Sequence, residues 1–395
     1  MSRLDDLIAE YCPDGVEYRP VGFFARAEKG KNTSHQCELA YSITKGGLVR
    51  TSDYFKDAKV TSEDTSAYRI VKRNWFVYSP SRIDVGSINY LRDQDEVIVS
   101  PLNVVFSVDE SVILPDYLLY FFQSRDGTWQ IITSREGIEG TGRKLLPFDK
   151  FSKIKVPVPP LPVQREIVRI LGTFTELTAE LTAELTARKK QFEYYRHELL
   201  TFGSEIPRIT LGKVGPVCMC KRILKSQTNM EGGIPFFKIG TFGKEANAYI
   251  SKETFEEYKN KYSYPKKGDV LISAAGTIGR TVVFDGKPAY FQDSNIVWID
   301  NDETKVLNEF LLYCYTMKPW AVSEGGTIPR LYNDNIMRAV IPCPSIEEQR
   351  RIVNLLHKFD ALCNDISSGL PAEIAARQKQ YEYYRDKLLT FKELN

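Results

Sequence analysis

Two long stretches of the chain carry apolar residues at the three- and four-residue spacing of an α-helix. The first stripe runs from Ile167 to Leu199 and the second from Ile352 to Leu388. A narrow stripe of this period is typical of helices that pack on another helix as a coiled coil. Prolines stand just before each stripe, where they begin a helix without breaking it. We therefore expect a first helix from about Val163 to Phe202, roughly 60 Å long at about 1.5 Å per residue, and a second helix kinked near Gly369 and Pro371.

The region before each stripe lacks helical periodicity and contains short β-rich runs between Gly, Pro, Asn and Asp residues. These runs are residues 75–78, 96–99 and 103–106 in the first region, and 269–273 and 295–299 in the second. The two regions share this layout but few residues. The pattern predicts an α+β chain, with mixed α/β domains at 1–155 and 204–340 and long coiled-coil helices at 156–203 and 341–395.

The two halves of the chain are copies of one unit. The segment PVPPLPVQREIVRIL at 157–171 matches PCPSIEEQRRIVNLL at 342–356, an offset of 185 residues. The segment RKKQFEYYRHELLTF at 188–202 matches RQKQYEYYRDKLLTF at 377–391, an offset of 189. The extra residues of the second copy lie inside its helix, near 367–371. Such self-similarity predicts a pseudo-two-fold internal repeat. We favour pairing of the two helices within the chain, because each has a matched partner there, and homodimerisation is the alternative.

Composition and charge exclude several classes of protein. The net charge of +2 gives no overall basic signal, although residues 204–267 hold 12 Lys and Arg against 6 Asp and Glu. Residues 1–155 hold 21 against 22, so charge alone does not indicate nucleic acid. No run of eighteen apolar residues predicts a membrane span, and the N-terminus does not resemble a signal peptide. The seven cysteines show no framework spacing, which favours a cytoplasmic protein with reduced thiols and no metal site.

Motifs for catalysis are absent from the sequence. It contains no Asn/Asp-Pro-Pro-aromatic turn of an adenine methyltransferase, no GxGxxG loop and no GxxxxGK[ST] phosphate loop. The three histidines, His35, His197 and His357, are far apart in the sequence, which argues against histidine-based catalysis. We therefore predict no catalytic residues and a binding protein rather than an enzyme.

Several segments resemble the specificity subunit of type I restriction–modification systems, and the resemblance covers nearly the whole chain. They are CPDGVEY at 12–18, GDVLISAAGTIGRTVVFDGKPAYFQDSNIVWI at 268–299, GLPAEI at 369–374 and the two helix segments quoted above. The helix motifs are the most specific part of the resemblance. The domain motifs are less specific, since these domains vary with the DNA that they read.

The resemblance implies an architecture and a set of partners. Two target-recognition domains would each read one half of a split site in double-stranded DNA. The two helices would pair antiparallel as a spacer and carry two modification subunits, which would hold S-adenosylmethionine and methylate adenine. Separate restriction subunits, with ATP and magnesium, would act as motor and nuclease, and this chain would need no cofactor. The alternative is a coiled-coil scaffold whose two adhesive domains read no DNA sequence.

Candidate DNA contacts are polar or cationic residues in loops near small residues, because base readout needs donors and acceptors and phosphate contacts need positive charge. In the first domain they are Lys29, Lys31, Asn32, Ser81, Arg82, Arg143 and Lys144. In the second domain they are Lys221, Arg222, Lys225, Gln227, Thr277, Arg280, Gln292, Asn295, Thr327 and Arg330. The glycines around Thr277 are expected to admit a phosphate. For any single residue, a solvated surface charge or a loop cap is the alternative.

Candidate partner contacts occupy matching positions in both copies, as expected if two copies of one partner bind. They are Gln164, Arg165, Tyr195 and Arg196 in the first copy, and Gln349, Arg350, Tyr384 and Arg385 in the second. The alternative for the tyrosines is packing of the helix pair.

A short tandem repeat inside the first helix predicts how the spacer length is set. Residues 178–181 and 182–185 are both Thr-Ala-Glu-Leu. Each copy adds about 6 Å of helix, against roughly 3.4 Å per base step of duplex. We therefore expect one copy to correspond to one or two base pairs of unread DNA, unless the repeat is only a generic helix-forming sequence.

Overall fold

The structure of the protein is a computed structural model that describes residues 3–56, 61–137, 144–322, 330–365 and 367–394. The chain forms two compact units, one of Met1–Thr182 with Glu373–Asn395 and one of Ala183–Ala372. Each long helical segment is therefore divided between the units. The boundaries at 155, 203 and 340 describe segments of sequence and stay predictions.

Helices make up the two long segments and cap the sheets. The helices of the described residues are α1 Arg3–Tyr11, α2 Thr51–Phe55, α3 Pro115–Gln123, α4 Arg125–Thr133, α5 Phe148–Phe151, α6 Leu161–Leu200, α7 Leu211–Val214, α8 Lys252–Lys261, α9 Asn308–Thr316, α10 Asn333–Arg338, α11 Ile346–Asn364 and α12 Leu370–Leu388. The first long helix thus lies within two residues of its predicted ends. None of the helices in these ranges is long and apolar enough to cross a membrane.

The strands are short and are joined mostly by turns. In the described ranges they are β1 Tyr18–Pro20, β2 Ala25–Glu28, β3 Ala40–Thr44, β4 Gly47–Arg50, β5 Arg69–Lys72, β6 Phe76–Tyr78, β7 Ile88–Tyr90, β8 Glu96–Val99, β9 Val104–Val108, β10 Glu136–Gly137, β11 Lys144–Leu145, β12 Lys155–Pro157, β13 Arg208–Thr210, β14 Val217–Cys218, β15 Thr228–Asn229, β16 Ile234–Phe237, β17 Tyr249–Ile250, β18 Val270–Ser273, β19 Thr281–Val283, β20 Tyr290–Phe291, β21 Ile296–Ile299 and β22 Val340–Pro342. The five β-rich runs predicted from the sequence correspond to β6, β8, β9, β18 and β21.

The sheet topology repeats between the units. One four-stranded sheet has the order β2-β9-β6-β7 in the first unit and β14-β21-β18-β19 in the second. A small antiparallel pair, β1-β12 or β13-β22, joins the start of each domain to the strand before its long helix. The predicted α+β fold with an internal repeat is therefore confirmed.

The second four-stranded sheet of each unit diverges at its edge. Its order is β4-β3-β8-β5 in the first unit and β15-β17-β16-β20 in the second. Both contain one parallel pair, β3 with β8 and β16 with β20. The position of one edge strand, however, differs. In the first unit β5 lies beside β8, whereas in the second unit β15 lies beside β17. The shared sheet and the divergent edge give two domains with a common scaffold and different surfaces.

Alternation along the central strands sorts side chains into two cores. In β18, Val270 and Ile272 face one core while Leu271 faces another, and in β21 the side chain of Trp298 faces the same core as that of Leu271. In the first unit, Phe76 and Tyr78 of β6 are separated from Val77 in the same way. Because successive side chains of a strand point to opposite faces, a continuous apolar run predicts a strand covered on both sides.

The long helices pair within the chain through two matching ring stacks. In the first unit Phe174 of α6 stacks on Tyr384 of α12, with ring centroids 5.5 Å apart. In the second unit the equivalent residues, Tyr195 of α6 and Phe359 of α11, stack at 5.6 Å. The prediction of an internal helix pair is confirmed.

One further contact, together with the Tyr195–Phe359 stack, gives the direction of this pairing in the second unit. Lys189 of α6 lies within electrostatic reach of the Cys363 thiol, whose pKa is raised by burial. Farther along α6, Tyr195 stacks on Phe359. Since the later residue of α6 contacts the earlier residue of α11, these two helices run antiparallel.

The second long helix is interrupted, where the sequence predicts a kink. Helix α11 ends at Asn364 and α12 begins at Leu370. Gly369 is required at this point, because a Cβ atom there would lie 2.5 Å from the Ala361 carbonyl oxygen. Asp365 accepts hydrogen bonds from the backbone N–H and hydroxyl of Ser367 at 2.7 and 2.6 Å. These hydrogen bonds lower the pKa of Asp365 to about 2.

Candidate nucleic-acid interface

Four of the ten candidates in the second domain lie around one cavity. This cavity, named the basic cavity here, has a volume of about 260 Å³. It is lined by Arg222, Ile223, Lys225, Thr228, Phe236, Lys238, Gln292, Asp293, Ser294 and Asn295. Arg222, Lys225, Gln292 and Asn295 were candidates from the sequence, while Lys238 was missed. Nothing around Lys238 in the sequence marks it, because strand β16 only reaches the cavity through its pairing with β20.

A strained turn shapes one wall of the basic cavity. Ser294 has a positive φ of 51°, which non-glycine residues adopt rarely. Its carbonyl oxygen accepts a hydrogen bond from Nη2 of Arg330 at 2.7 Å. The side-chain oxygen of Gln292 accepts a hydrogen bond from the backbone N–H of Ile239 at 2.9 Å. The side-chain NH₂ group of Gln292 takes no part in this hydrogen bond. Arg330 therefore acts on this wall by holding the turn.

Arg280 and Thr277 lie together on the loop that the sequence marks by its glycines. Gly276 and Gly279 both have positive φ, at 65° and 78°, so this loop uses the backbone freedom of glycine. The Arg280 guanidinium donates to the Phe242 carbonyl at 2.9 Å and contacts Thr277 Oγ1 at 3.5 Å. Thr277 is exposed and Arg280 is half-buried.

Two further candidates of the second domain, Gln227 and Lys221, lie near helix α8. The amide of Gln227 bonds Leu224 N–H and the Tyr258 hydroxyl, at 2.9 and 3.2 Å, so both its ends have partners. The Lys221 ammonium lies over the ring of Tyr262, 5.0 Å from its centroid. Thr327 lies outside the described residues.

In the first unit, Arg135 links two of the candidates, Ser81 and Lys144. Its Nη2 donates to the carbonyls of Ser81 and Lys144, at 3.0 and 2.9 Å, and its Nη1 pairs with Asp84. Arg82, next to Ser81, lines a cavity of about 230 Å³, which we name the hydroxyl cavity. No pattern in the sequence marks this role of Arg135, since its partners come from distant loops. Arg143 lies outside the described residues.

The candidates Lys29, Lys31 and Asn32 lie close together in the sequence, and the prediction for Asn32 is corrected. Lys29 and Lys31 are exposed, and Lys31 forms an isolated β-bridge with Arg69. Asn32 is fully buried, and its amide bonds the Cys37 backbone and the Thr65 hydroxyl. The prediction that Asn32 contacts DNA is wrong, because an amide that is satisfied in the interior presents nothing to a groove.

The two glutamines predicted as partner contacts are also internal. Gln164 is fully buried; it accepts from the Leu114 N–H and donates to the carbonyls of Val112 and Pro159. Its equivalent, Gln349, is also fully buried and makes the same three bonds, to the backbone of Leu307, Lys305 and Pro344. Gln164 therefore links the start of α3 to the start of α6, and Gln349 links the start of α9 to the start of α11. The prediction that they bind a partner is corrected.

The arginines next to these glutamines point to solvent. Arg165 and Arg350 are exposed, and neither forms an ion pair with any described residue. Arg196 and Arg385, by contrast, pair with Glu193 and Asp386 close by on their own helices. Arg165 and Arg350 are thus the matching cations that remain available on the two copies.

The neighbouring tyrosines were missed by the sequence analysis. Tyr195 and Tyr384 each stack on a ring of the paired helix, although Tyr195 is still 39% exposed, whereas Tyr194 and Tyr383 are 60% and 62% exposed. Adjacent residues of a helix point about 100° apart, so only one of each Tyr-Tyr pair can face the partner helix. That spacing was available in the sequence and would have found them.

Titratable groups in the second unit have structural partners. Burial raises the pKa of Asp269, whose carboxylate accepts from the Lys266 N–H at 2.7 Å. Burial also raises the pKa of the Cys220 thiol to about 12. Within the part of the chain that the structure describes, no group of three His, Cys, Asp or Glu residues could hold a metal ion.

Comparisons with known proteins agree with this architecture. A family model described as the type I restriction modification DNA specificity domain matches residues 18–188 and 204–376. A putative type I restriction enzyme specificity subunit of Haemophilus influenzae is 58% identical over 262 residues, which cover 64% of this chain and 68% of that protein. The EcoR124I/EcoR124II specificity subunit of Escherichia coli is 32% identical over 316 residues, 74% of each chain.

Solved structures show the same fold at low identity. A chain from a type I restriction–modification assembly aligns over 95% of this chain and 98% of its own length, with a TM-score of 0.65 and 19% identity. The HsdS subunit from Thermoanaerobacter tengcongensis aligns over 96% of each chain, with a TM-score of 0.52 and 18% identity. The family model covers both copies of the repeat, and the relatives are specificity subunits, as the sequence predicted for a non-catalytic chain. This chain belongs to the family of type I restriction–modification DNA specificity subunits.

Proposed function

We propose that the chain reads a split site in double-stranded DNA, with one half-site for each unit. The observation that carries this proposal is the combination of a common sheet order with differently lined cavities. The basic cavity is cationic, whereas the hydroxyl cavity is lined by Tyr, Ser, Thr and Asn side chains and Arg82. A shared scaffold with different surface chemistry suits two domains that recognise different sequences.

The continuous helix α6 supports a fixed gap between the half-sites. It contains 40 residues and carries side chains of both units. A helix of this length spans roughly 60 Å. The gap would then be set by helix length and would contain base pairs that the chain does not read.

Two copies of one modification subunit are the proposed partners of the matching surfaces. Arg165 and Tyr383 in the first unit, and Arg350 and Tyr194 in the second, supply an exposed cation and an exposed aromatic ring. Arginine and tyrosine are enriched at the centres of protein interfaces. S-adenosylmethionine would be held by the modification subunits, and ATP and magnesium by restriction subunits that join the complex.

A selection from a random pool of duplexes tests this function. The chain is mixed with its modification subunit, and the bound duplexes are recovered and sequenced over several rounds. We expect enrichment of two short motifs separated by a constant number of unread base pairs. Absence of any enriched motif would instead favour an adhesive scaffold.

A further inference from the structure

The basic cavity carries more positive charge than hydrogen bonds to bases require. Three cationic side chains line it, Arg222, Lys225 and Lys238, against one carboxylate, Asp293. All three cations are exposed at the surface of the cavity. The local net charge is therefore positive, in a chain whose total charge is only +2.

Ion pairing leaves two of these cations unneutralised. Nε of Arg222 donates to Asp293 Oδ2 at 2.8 Å, and the Asp293 side chain is only 17% exposed. Lys225 and Lys238 form no ion pair with a residue in the described ranges. Two lysines that line one cavity repel each other, and an anion between them would offset that repulsion.

The size of the cavity limits the anion. Its volume of about 260 Å³ is below the usual range of about 300–1,000 Å³ for sites that enclose a small organic ligand. A phosphate group fits this volume better than a whole nucleotide. Arg330 holds the carbonyl of Ser294 in the adjoining turn, and Asn295 adds a neutral donor and acceptor to the lining.

The hydroxyl cavity provides the contrast within the same chain. Its described lining consists of Tyr41, Ser42, Ile43, Thr51, Phe55, Thr61, Tyr68, Ser79, Arg82, Ser100 and Asn103. Arg82 is its single charged residue in this lining. Neutral hydroxyl and amide groups form hydrogen bonds with bases and sugars but release few counterions from DNA.

We propose that the basic cavity binds a phosphate group of a DNA strand through Arg222, Lys225 and Lys238. The second unit then supplies more of the salt-dependent affinity than the first, so the two half-sites are held unequally. This inference rests on the proposed function, because it assumes that the chain binds duplex DNA. In this proposal the three residues bind the sugar–phosphate backbone of DNA and do not read its bases.

The salt dependence of binding tests the site. The complex with the modification subunit is titrated with a fluorescent duplex that carries the selected motif, at a series of chloride concentrations. Each phosphate contact contributes about 0.9 to the slope of log K against log salt. Because the cavity holds one phosphate group, we expect R222Q/K225Q/K238Q to reduce the magnitude of the slope by about 0.9.

A matched control removes the same charge at the opposite end of β21. Lys266 pairs with Asp300, which follows β21, and Lys305 contacts the Lys213 carbonyl. We expect K213Q/K266Q/K305Q to keep the slope of the unchanged complex. In the first unit, R82Q is expected to lower the magnitude of the slope by less than R222Q/K225Q/K238Q does. Thermal unfolding of each variant confirms that the fold is retained.

The outcomes separate this inference from the proposed function. If the unchanged complex selects no motif, the proposed function fails. If it selects a motif but R222Q/K225Q/K238Q keeps the full slope, or the control triple lowers it equally, the phosphate site is wrong. Inorganic phosphate at matched ionic strength is a further arm. Competition with DNA that R222Q/K225Q/K238Q abolishes would support the site, whereas binding of inorganic phosphate that leaves the DNA affinity unchanged would assign the site to free phosphate and overturn the DNA assignment.

Discussion

Single residues of the repeat divide into those that hold the fold and those that face solvent. Gln164 and Arg165 are neighbours and are identical in both copies, yet the glutamine is buried and the arginine is exposed. The sequence predicted both as partner contacts. It could not separate them, because the backbone groups that Gln164 bonds lie about fifty residues away, at Val112 and Leu114.

Replacement of Gln164 by alanine is expected to destabilise the first unit. The variant leaves the N–H of Leu114 and two carbonyls without their partner, and each unsatisfied buried group costs about 1–3 kcal/mol. We expect a loss of at least about 2 kcal/mol, measured as a lowered midpoint in urea unfolding followed by circular dichroism. An unchanged midpoint for Gln164→Ala would contradict the structural role.

Replacement of the neighbouring arginine is the matched experiment on partner binding. Exposed substitutions away from special features usually change stability by less than about 0.5 kcal/mol, so R165A/R350A should unfold like the unchanged chain. We expect its affinity for the modification subunit to fall at least tenfold in isothermal titration calorimetry. Equal affinity would show that the partner docks elsewhere.

Arg280 and Arg330 each hold a loop carbonyl of the second unit, those of Phe242 and Ser294. We expect Arg280→Ala and Arg330→Ala to weaken binding of the selected duplex, because the loops lose both positive charge and their fixed shape. Fluorescence anisotropy at several salt concentrations measures this. If both variants kept the affinity and the salt dependence of the unchanged complex, neither loop would lie at the DNA.

At the scale of elements, local sequence patterns predicted the two long helical segments and five of the strands. The helix α6 and the strands β6, β8, β9, β18 and β21 lie close to their predicted positions, because their apolar patterns are strong and local. The order of strands within the sheets was not predicted. Pairing such as β3 with β8 joins residues far apart in sequence, and no local pattern specifies it.

The tandem repeat of α6 is the element expected to set the length of the unread spacer. Thr178 and Thr182 donate to the carbonyls four residues earlier, so both copies are regular helix. Deletion of residues 182–185 removes about 6 Å of helix and should shorten the spacer by one or two base pairs. Sequencing of methylated sites measures the spacer, and an unchanged length would contradict this role.

At the scale of the whole molecule, the repeat explains both what is shared and what differs. Both units contain the same ring stack, Phe174–Tyr384 in the first and Tyr195–Phe359 in the second. Both also contain the same hydrogen bonds of a buried glutamine, Gln164 or Gln349. The edges of the second sheets and the lining of the cavities differ. The structure that both copies keep supports and spaces the domains, and the surfaces that diverge are those proposed to meet DNA.

The most direct test of this account exchanges one domain. Residues 204–340 are replaced by the corresponding domain of the Escherichia coli relative, and methylated sites are mapped with the modification subunit present. The account predicts that one half of the split motif changes while the other half and the gap stay the same. A change in both halves, or a motif that is unaffected by the exchange, would contradict the claim that each unit reads its own half-site.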